Sequence, residues 1–135
     1  MSLIGKSKGR PITKIQFEKI VKQFTIFVKR ELQIIQNVSI HFVDDASYAK
    51  NVKAFGEISS DNVIRVSIIN RHPMDILRTL AHEMAHYKQD VTRGISKTDS
   101  SAGSAIENQA NAKAGELMRK FGKLHPEYFE LTSIK

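Results

Sequence analysis

The chain of 135 residues contains no cysteine. This absence excludes disulfide frameworks, zinc sites built on thiolates and cysteine nucleophiles, so any bound metal must be held by histidine and carboxylate side chains. Glycine and proline are also few, and the hydrophobic and charged fractions of 41% and 26% are close to those of soluble globular proteins. Disordered and fibrous classes are therefore disfavoured.

Long hydrophobic runs are also missing from the sequence. No stretch is long and apolar enough to cross a bilayer. The basic N-terminal residues lack the continuous apolar segment of a secretory signal. From these features we expect a cytoplasmic protein without a membrane partner, and the length is that of one domain.

The formal net charge of +7 is unevenly distributed along the chain. Residues 1–31 contain eight Lys or Arg and two Glu, whereas the remainder contains thirteen basic and twelve acidic residues. This basic segment could contact nucleic acid or another polyanion, and the alternative is a solvated helix face. Within it, residues 1–11 lack periodicity and are predicted to be a flexible arm that precedes a single domain over residues 12–135.

Apolar residues at helical spacing predict an amphipathic helix after the arm, and Thr13 and Gln16 occupy capping-box positions at its start. Its apolar stripe consists of Ile15, Ile20, Val21, Phe24, Val28, Leu32 and Ile35. Three strands are expected to follow. Residues 38–43 alternate with period two, and residues 53–59 and 63–69 read as a β-hairpin that turns near Asp61 and Asn62.

Two further helices complete the predicted domain. The first begins at Pro73, since proline is favoured at the first helical position, and continues to about Asp90. The second follows a loop over residues 94–103 and has Gly122 as its expected C-cap. The apolar stripes of these helices are Ile76, Leu77, Leu80, Ala81, Met84 and Ala85, and then Ile106, Ala110, Ala114, Leu117 and Phe121. This order predicts an α+β domain with helices packed on a small three-stranded sheet.

His82, Glu83 and His86 form an HExxH pattern inside the first of these helices. Residues four apart share a helix face and are separated by about 6 Å of rise, so two imidazoles can bind one metal ion. Glu83 lies about 100° around the helix from His82, badly aimed to ligate but well placed to reach a water on the metal. Zinc lowers the pKa of such a water from about 15.7 to about 7, and Glu83 is the candidate general base for hydrolysis of an amide. The alternative is a pair of surface histidines on an amphipathic helix.

A catalytic zinc site needs a third protein ligand and one open position. Asp90 extends the same stripe, but it is about 12 Å of axial rise from His82, too far for its short side chain. The metzincin class is excluded because Gln89 and Thr92 stand where its motif requires Gly and His. Glu107 on the next helix remains as a candidate, with Asn111 on the same face.

This combination resembles the gluzincin-type zinc metallopeptidases, in which HExxH on one helix is followed by a glutamate ligand on another in an ExxxD-like or ExxAN-like motif. The run from Glu107 to Asn111 (ENQAN) matches the looser form, and the resemblance covers about residues 73–121. It implies a minimal zincin-like fold, one Zn²⁺ per chain and a protein or peptide substrate. It also implies that Glu107 is the third ligand and that Asn111 holds a ligating histidine in the required tautomer.

The sequence leaves alternatives open for the role of Glu107 and for the function of the protein. Ser104 and Glu107 also fit a capping box, in which Glu107 would simply close a helix start. The size is similar to that of small HExxH proteins of bacteria and tailed phages, which makes a phage-encoded protein one expectation. Rival functions are a DNA-associated protease similar to the SprT-like family, a nucleic-acid-binding protein, and an inactive zincin that acts as an interaction domain.

Two further segments have candidate roles. Residues 55–58 are a candidate edge strand for pairing with an extended substrate, with Gly56 allowing close backbone approach, and an ordinary hairpin strand is the alternative. His72, just before Pro73, could stabilise an oxyanion, but local packing at the helix start is the simpler role.

Overall fold

The computed structural model describes residues 10–45, 47, 56–58, 62–69, 71–93 and 105–134. Its elements, in chain order, are β1 (Arg10–Ile12), α1 (Lys14–Leu32), β2 (Ser39–Val43), β3 (Gly56–Ile58), β4 (Val63–Ser67), α2 (Pro73–Arg93), α3 (Ala105–Leu124), a 3-10 helix (Pro126–Glu130) and β5 (Leu131–Ile134). The predicted α+β class is confirmed. None of the described helices is long and apolar enough to cross a membrane.

Helix α1 begins with the predicted capping box. The Thr13 hydroxyl accepts a hydrogen bond from the Gln16 N–H at 3.1 Å, and the Gln16 side chain accepts one from the Thr13 N–H at 2.9 Å. The predicted stripe is wrong at Ile35, which lies beyond the end of α1 at Leu32 and is 88% exposed. It is also wrong at Ile15, which is 69% exposed, whereas Phe17 is fully buried. The reason is geometric, because Ile15 is about 140° around the helix from Ile20, on the side away from the core.

Strands β2, β3 and β4 form a sheet with the order β2-β4-β3. The β3–β4 pair is antiparallel with Ile58 opposite Ile64, which confirms the predicted hairpin. At its turn Asn62 has a φ of 64°, a left-handed conformation that asparagine tolerates, while Asp61 lies outside the described residues. Strand β2 pairs with β4 in parallel, from Ser39 opposite Val63. Parallel strands need a long crossover, so this neighbour cannot be read from local pattern.

The two ends of the described chain meet in a second small sheet. Strand β1 pairs in parallel with β5, and Arg10 lies opposite Leu131. Arg10 and Pro11, the last residues of the predicted arm, therefore belong to β1, and the rest of that arm lies outside the described residues. The predicted loop over residues 94–103 also lies outside them.

Helix α2 is the central element, because it packs against α1, α3, β3, β4 and β5. All of the residues predicted for its apolar stripe are buried, namely Ile76, Leu77, Leu80, Ala81, Met84 and Ala85. Helices α1 and α3 meet through Phe24 and Phe121, whose rings are 4.9 Å apart in an edge-to-face arrangement. The hydrophobic core thus holds one side of α2 and leaves the opposite side available for a site.

Helix α3 extends past the predicted C-cap. Gly122 is buried inside the helix, which ends at Leu124. The helix is ended instead by Pro126, which disfavours the α conformation at the preceding residue. His125 accordingly has a φ of −136° and a ψ of 65°. Gly122 as a C-cap is therefore a wrong prediction.

Candidate metal centre

His82 and His86 lie one turn apart on α2 and face away from its buried side. Their Nε2 atoms are 3.1 Å apart, and the ring planes are inclined at 81° to each other. Met84 and Ala85, between them in sequence, are buried in the core and fix the rotation of the helix. The core packing of α2 thereby aims both imidazoles at the same point.

Glu107 reaches this point from the first turn of α3. Its Oε1 lies 2.7 Å from His82 Nε2, and its Oε2 lies 3.2 Å from His86 Nε2. The side chains of His82 and Glu107 are each 19% exposed, and that of His86 is 12% exposed. The ligand atoms of the three residues all lie within 4.8 Å of one another, so the cluster could hold a metal ion.

The donor set and its spacing fit zinc. Two ligand atoms at about 2.0–2.1 Å from a tetrahedral zinc ion are separated by about 3.3 Å. The Nε2–Nε2 distance of 3.1 Å and the Nε2–Oε distances of 2.7 and 3.2 Å are close to that separation. Two imidazole nitrogens and one carboxylate oxygen also form one of the ligand sets of catalytic zinc sites.

The surroundings of His82 favour the neutral ring that a metal ligand requires. Burial lowers the pKa of the His82 imidazole, and this effect outweighs the opposing negative charge of Glu107. Asn111, one turn after Glu107 on α3, hydrogen-bonds the His82 side chain. The structure thus places Asn111 beside a candidate metal-binding histidine, where the sequence resemblance expected it.

His86 has a different partner, which sequence reasoning missed. Its Nδ1 lies 2.8 Å from Gln89 Oε1, and the amide group of Gln89 donates a hydrogen bond to the backbone carbonyl of Ile106 at 3.0 Å. A carbonyl only accepts, so the Gln89 oxygen must face His86, and His86 Nδ1 must be the donor. In the neutral ring this tautomer leaves the lone pair on Nε2, toward Glu107. The available signal was the spacing of three residues between His86 and Gln89 on one helix.

No family model matches the chain, and no curated protein matches it. Among solved structures it is similar to the metallopeptidase zymogen abylysin of Pyrococcus abyssi. That comparison covers 78% of this chain and 95% of abylysin, with 15% sequence identity and a TM-score of 0.45. A likeness of this degree says nothing about activity, which only the geometry of the site can support.

Glu83 lines a cleft beside the three side chains. The cleft has a volume of about 240 Å³ and lies between β3, α2 and α3. Its lining residues are Gly56, Arg78, Thr79, His82, Glu83, Asn111 and Ala114. A methyl group on Gly56 would lie 2.7 Å from the Thr79 side chain and 3.3 Å from that of Glu83. The absence of a side chain at Gly56 therefore lets the outer strand of the sheet pack directly beside Glu83.

The remaining histidine candidate has a structural role. His72 Nδ1 accepts a hydrogen bond from the backbone N–H of Met74 at 3.0 Å. It therefore caps the start of α2, which agrees with the simpler of its two predicted roles.

Proposed function

We propose that this chain is a zinc-dependent metallopeptidase in which His82, His86 and Glu107 bind the ion and Glu83 is the general base. The observation that carries the proposal is the convergence of those three ligand atoms from two helices. Three protein ligands leave a fourth position open, which distinguishes catalytic zinc sites from closed structural ones. The adjacent cleft, which is lined by His82 and Glu83, would give a substrate access to that position.

Each side chain around the centre has a definable task. When bound, zinc acts as a Lewis acid that polarises a carbonyl group and makes water nucleophilic near neutral pH. The Glu83 carboxylate would accept the proton of the attacking water and return it to the departing amine. Gln89 and Asn111 would hold the two imidazoles in the orientation that ligation needs.

The position of β3 supports a peptide as the substrate class. This strand is the outer member of the sheet order β2-β4-β3 among the described residues, and it borders the cleft at Gly56. An extended peptide that added to this edge by main-chain hydrogen bonds would run past Glu83. A substrate without a peptide backbone would gain nothing from such an edge.

The proposal is tested by metal content together with one substitution. Purified protein is expected to contain about one zinc per chain and to hydrolyse an unstructured protein such as casein. Glu83→Gln should retain the zinc and lose hydrolysis, because it removes the proton acceptor and leaves all three ligands in place. Loss of zinc in this variant would mean that Glu83 is misassigned. Zinc binding by the parent without any hydrolysis would favour an inactive interaction domain.

A second candidate function is contact with a polyanion such as DNA. A groove of about 680 Å³ lies between α1 and residues 37–42, and it shares no lining residue with the cleft beside the metal centre. Lys14, Lys22 and Lys29 line this groove together with one acidic residue, Glu18. A row of lysines along one helix favours binding to phosphate groups, with or without proteolysis nearby.

A further inference from the structure

On both helices that carry the metal centre, the row of side chains that includes the candidate ligands extends further along the helix, and the two rows face each other. On α2, Arg78 lies one turn before His82 on the same face, about 6 Å away along the axis. On α3, positions 107, 111, 115 and 119 follow one another at four-residue spacing. The helices are antiparallel in this region, because Glu107 contacts His86 while Gly115 lies beside Arg78. The row that begins with the metal ligands therefore ends at Arg78 and Arg119.

Both arginines converge over Gly115. The position that a methyl group of residue 115 would occupy is 3.4 Å from Arg119 Nη1 and 3.7 Å from Arg78 Nη2. The two guanidinium nitrogens can therefore be no more than the sum of those distances, about 7 Å, apart. Any larger residue at position 115 would occupy the space in which they meet.

Neither arginine has an ion-pair partner within the part of the chain that the structure describes. On α3, the helix that carries Arg119, the Glu116 carboxylate forms ion pairs with Lys113 and Lys120 and with neither arginine. Two cations held close together repel each other, and an anion placed between them removes that repulsion. A guanidinium group also matches a carboxylate geometrically, with two parallel hydrogen bonds.

We propose that Arg78 and Arg119 form a carboxylate-binding subsite of the proposed peptidase. The inference rests on the proposed function for the identity of the substrate as a peptide. Arg78 lines the cleft together with His82 and Glu83, so the bound carboxylate would belong to the same substrate molecule. An extended peptide advances about 3.4 Å per residue, so an axial separation of about 6 Å places the carboxylate within about one to three residues of the cleaved bond. The carboxylate is that of an Asp or Glu side chain or that of the substrate's C-terminus.

Peptide binding without turnover tests this subsite. The zinc-loaded Glu83→Gln chain is titrated with short fluorescent peptides that differ in a single group. One pair has Glu or Gln near the centre, and the other pair has a free or an amidated C-terminus. We expect the acidic member of one pair to bind about tenfold more tightly than its neutral partner, and the pair that shows the preference identifies which carboxylate is bound.

Substitution of the two arginines supplies the decisive comparison. Arg78→Met with Arg119→Met should reduce the preference to less than about twofold, since the guanidinium groups are lost and the aliphatic stems are kept. The control is Arg30→Met, which removes one guanidinium group from α1 and should leave the preference unchanged. Direct binding of a carboxylate to zinc does not depend on the arginines, so a preference of that origin would survive the double substitution. Equal binding of acidic and neutral peptides by the parent, or a preference that survives the double substitution, would overturn the subsite.

Hydrolysis of the same peptides by the unsubstituted chain separates the two proposals. A chain that shows the arginine-dependent preference but cleaves none of the peptides keeps the subsite and rejects the peptidase. A chain that cleaves acidic and neutral peptides equally well rejects the subsite and keeps the peptidase.

Discussion

Glu107 is the residue whose role the sequence left open between a metal ligand and a helix cap. Helix α3 begins at Ala105, so Glu107 is its third residue, the position that a capping box requires. Both of its carboxylate oxygens nevertheless contact histidine rings on α2. The two roles place different requirements on the side chain at position 107. A helix cap needs only a hydrogen-bond acceptor, whereas a metal ligand needs the negative charge.

We therefore expect Glu107→Gln to lose zinc under a mild chelator that leaves the parent loaded, since a charged oxygen beside a dication is replaced by a neutral amide. Glu116→Gln is the matched control, on the same helix but about 180° away and paired with lysines. Its zinc content should equal that of the parent. If Glu107→Gln retained zinc as well as the parent does, the third ligand would have to lie elsewhere.

Gln89 supplies a second test at the scale of single residues. Replacement by Leu removes the acceptor that holds His86 in one tautomer, so we expect zinc affinity to fall by about 10–100-fold. Gln109 also contacts Gln89, at 3.4 Å, but has no contact with His86 among the described interactions. Gln109→Leu should therefore change the affinity by less than about threefold. Competition with a chromophoric chelator measures both variants, and equal affinities would leave Gln89 without a role at the metal.

At the scale of elements, the site depends on the close packing of β3 against α2. Gly56 lies opposite Val66 in the sheet and beside Thr79 and Glu83 on the helix. A side chain at this position would push the strand and the helix apart at the level of the proposed general base. Packing between elements, and not backbone conformation, is thus what requires glycine here.

Gly56→Ala should accordingly destabilise the protein by about 1–3 kcal/mol, the usual cost of overpacking a tight contact. We expect Gly115→Ala to stabilise the protein instead, because its new methyl group would meet only the flexible ends of Arg78 and Arg119. Alanine in a helix interior gains about 0.5–1 kcal/mol over glycine. Urea unfolding of both variants measures the difference, and a Gly56→Ala protein as stable as the parent would contradict the close packing.

At the scale of the whole molecule, the excess positive charge lies mainly in one part of the sequence. The first 31 residues account for six of the seven net charges of the chain, and three of their lysines line the groove between α1 and β2. The proposed metal centre and its cleft lie among β3, α2 and α3. Binding of a polyanion and peptide hydrolysis would therefore use separate surfaces.

If the groove binds DNA, affinity should fall steeply with salt, and replacing Lys14, Lys22 and Lys29 by Met should reduce the slope of log K against log salt by about two to three. Replacing Lys113, Lys120 and Lys123 on α3 removes the same charge and should leave the slope almost unchanged. Filter binding over a range of salt concentrations measures both proteins. Equal losses in the two variants would indicate a general effect of net charge and no DNA site in the groove.

What the sequence determined by itself is local. The capping box of α1, the buried stripe of α2 and the shared helix face of His82 and His86 all depend on residues three or four positions apart, whose geometry the helix repeat dictates. The class of the domain and the two histidines of the candidate metal site could be predicted for the same reason.

Contacts between distant residues were decided only by the tertiary structure. The β1–β5 pair, the parallel β2–β4 pair and the convergence of Arg78 with Arg119 join segments whose separations follow no short period. Glu107 could be nominated from its motif, but its approach to His82 depends on how α3 packs against α2. The spacing of His86 and Gln89 only permits a contact between them, and the orientation of the Gln89 amide is fixed by a backbone carbonyl on α3, a group that no sequence pattern marks.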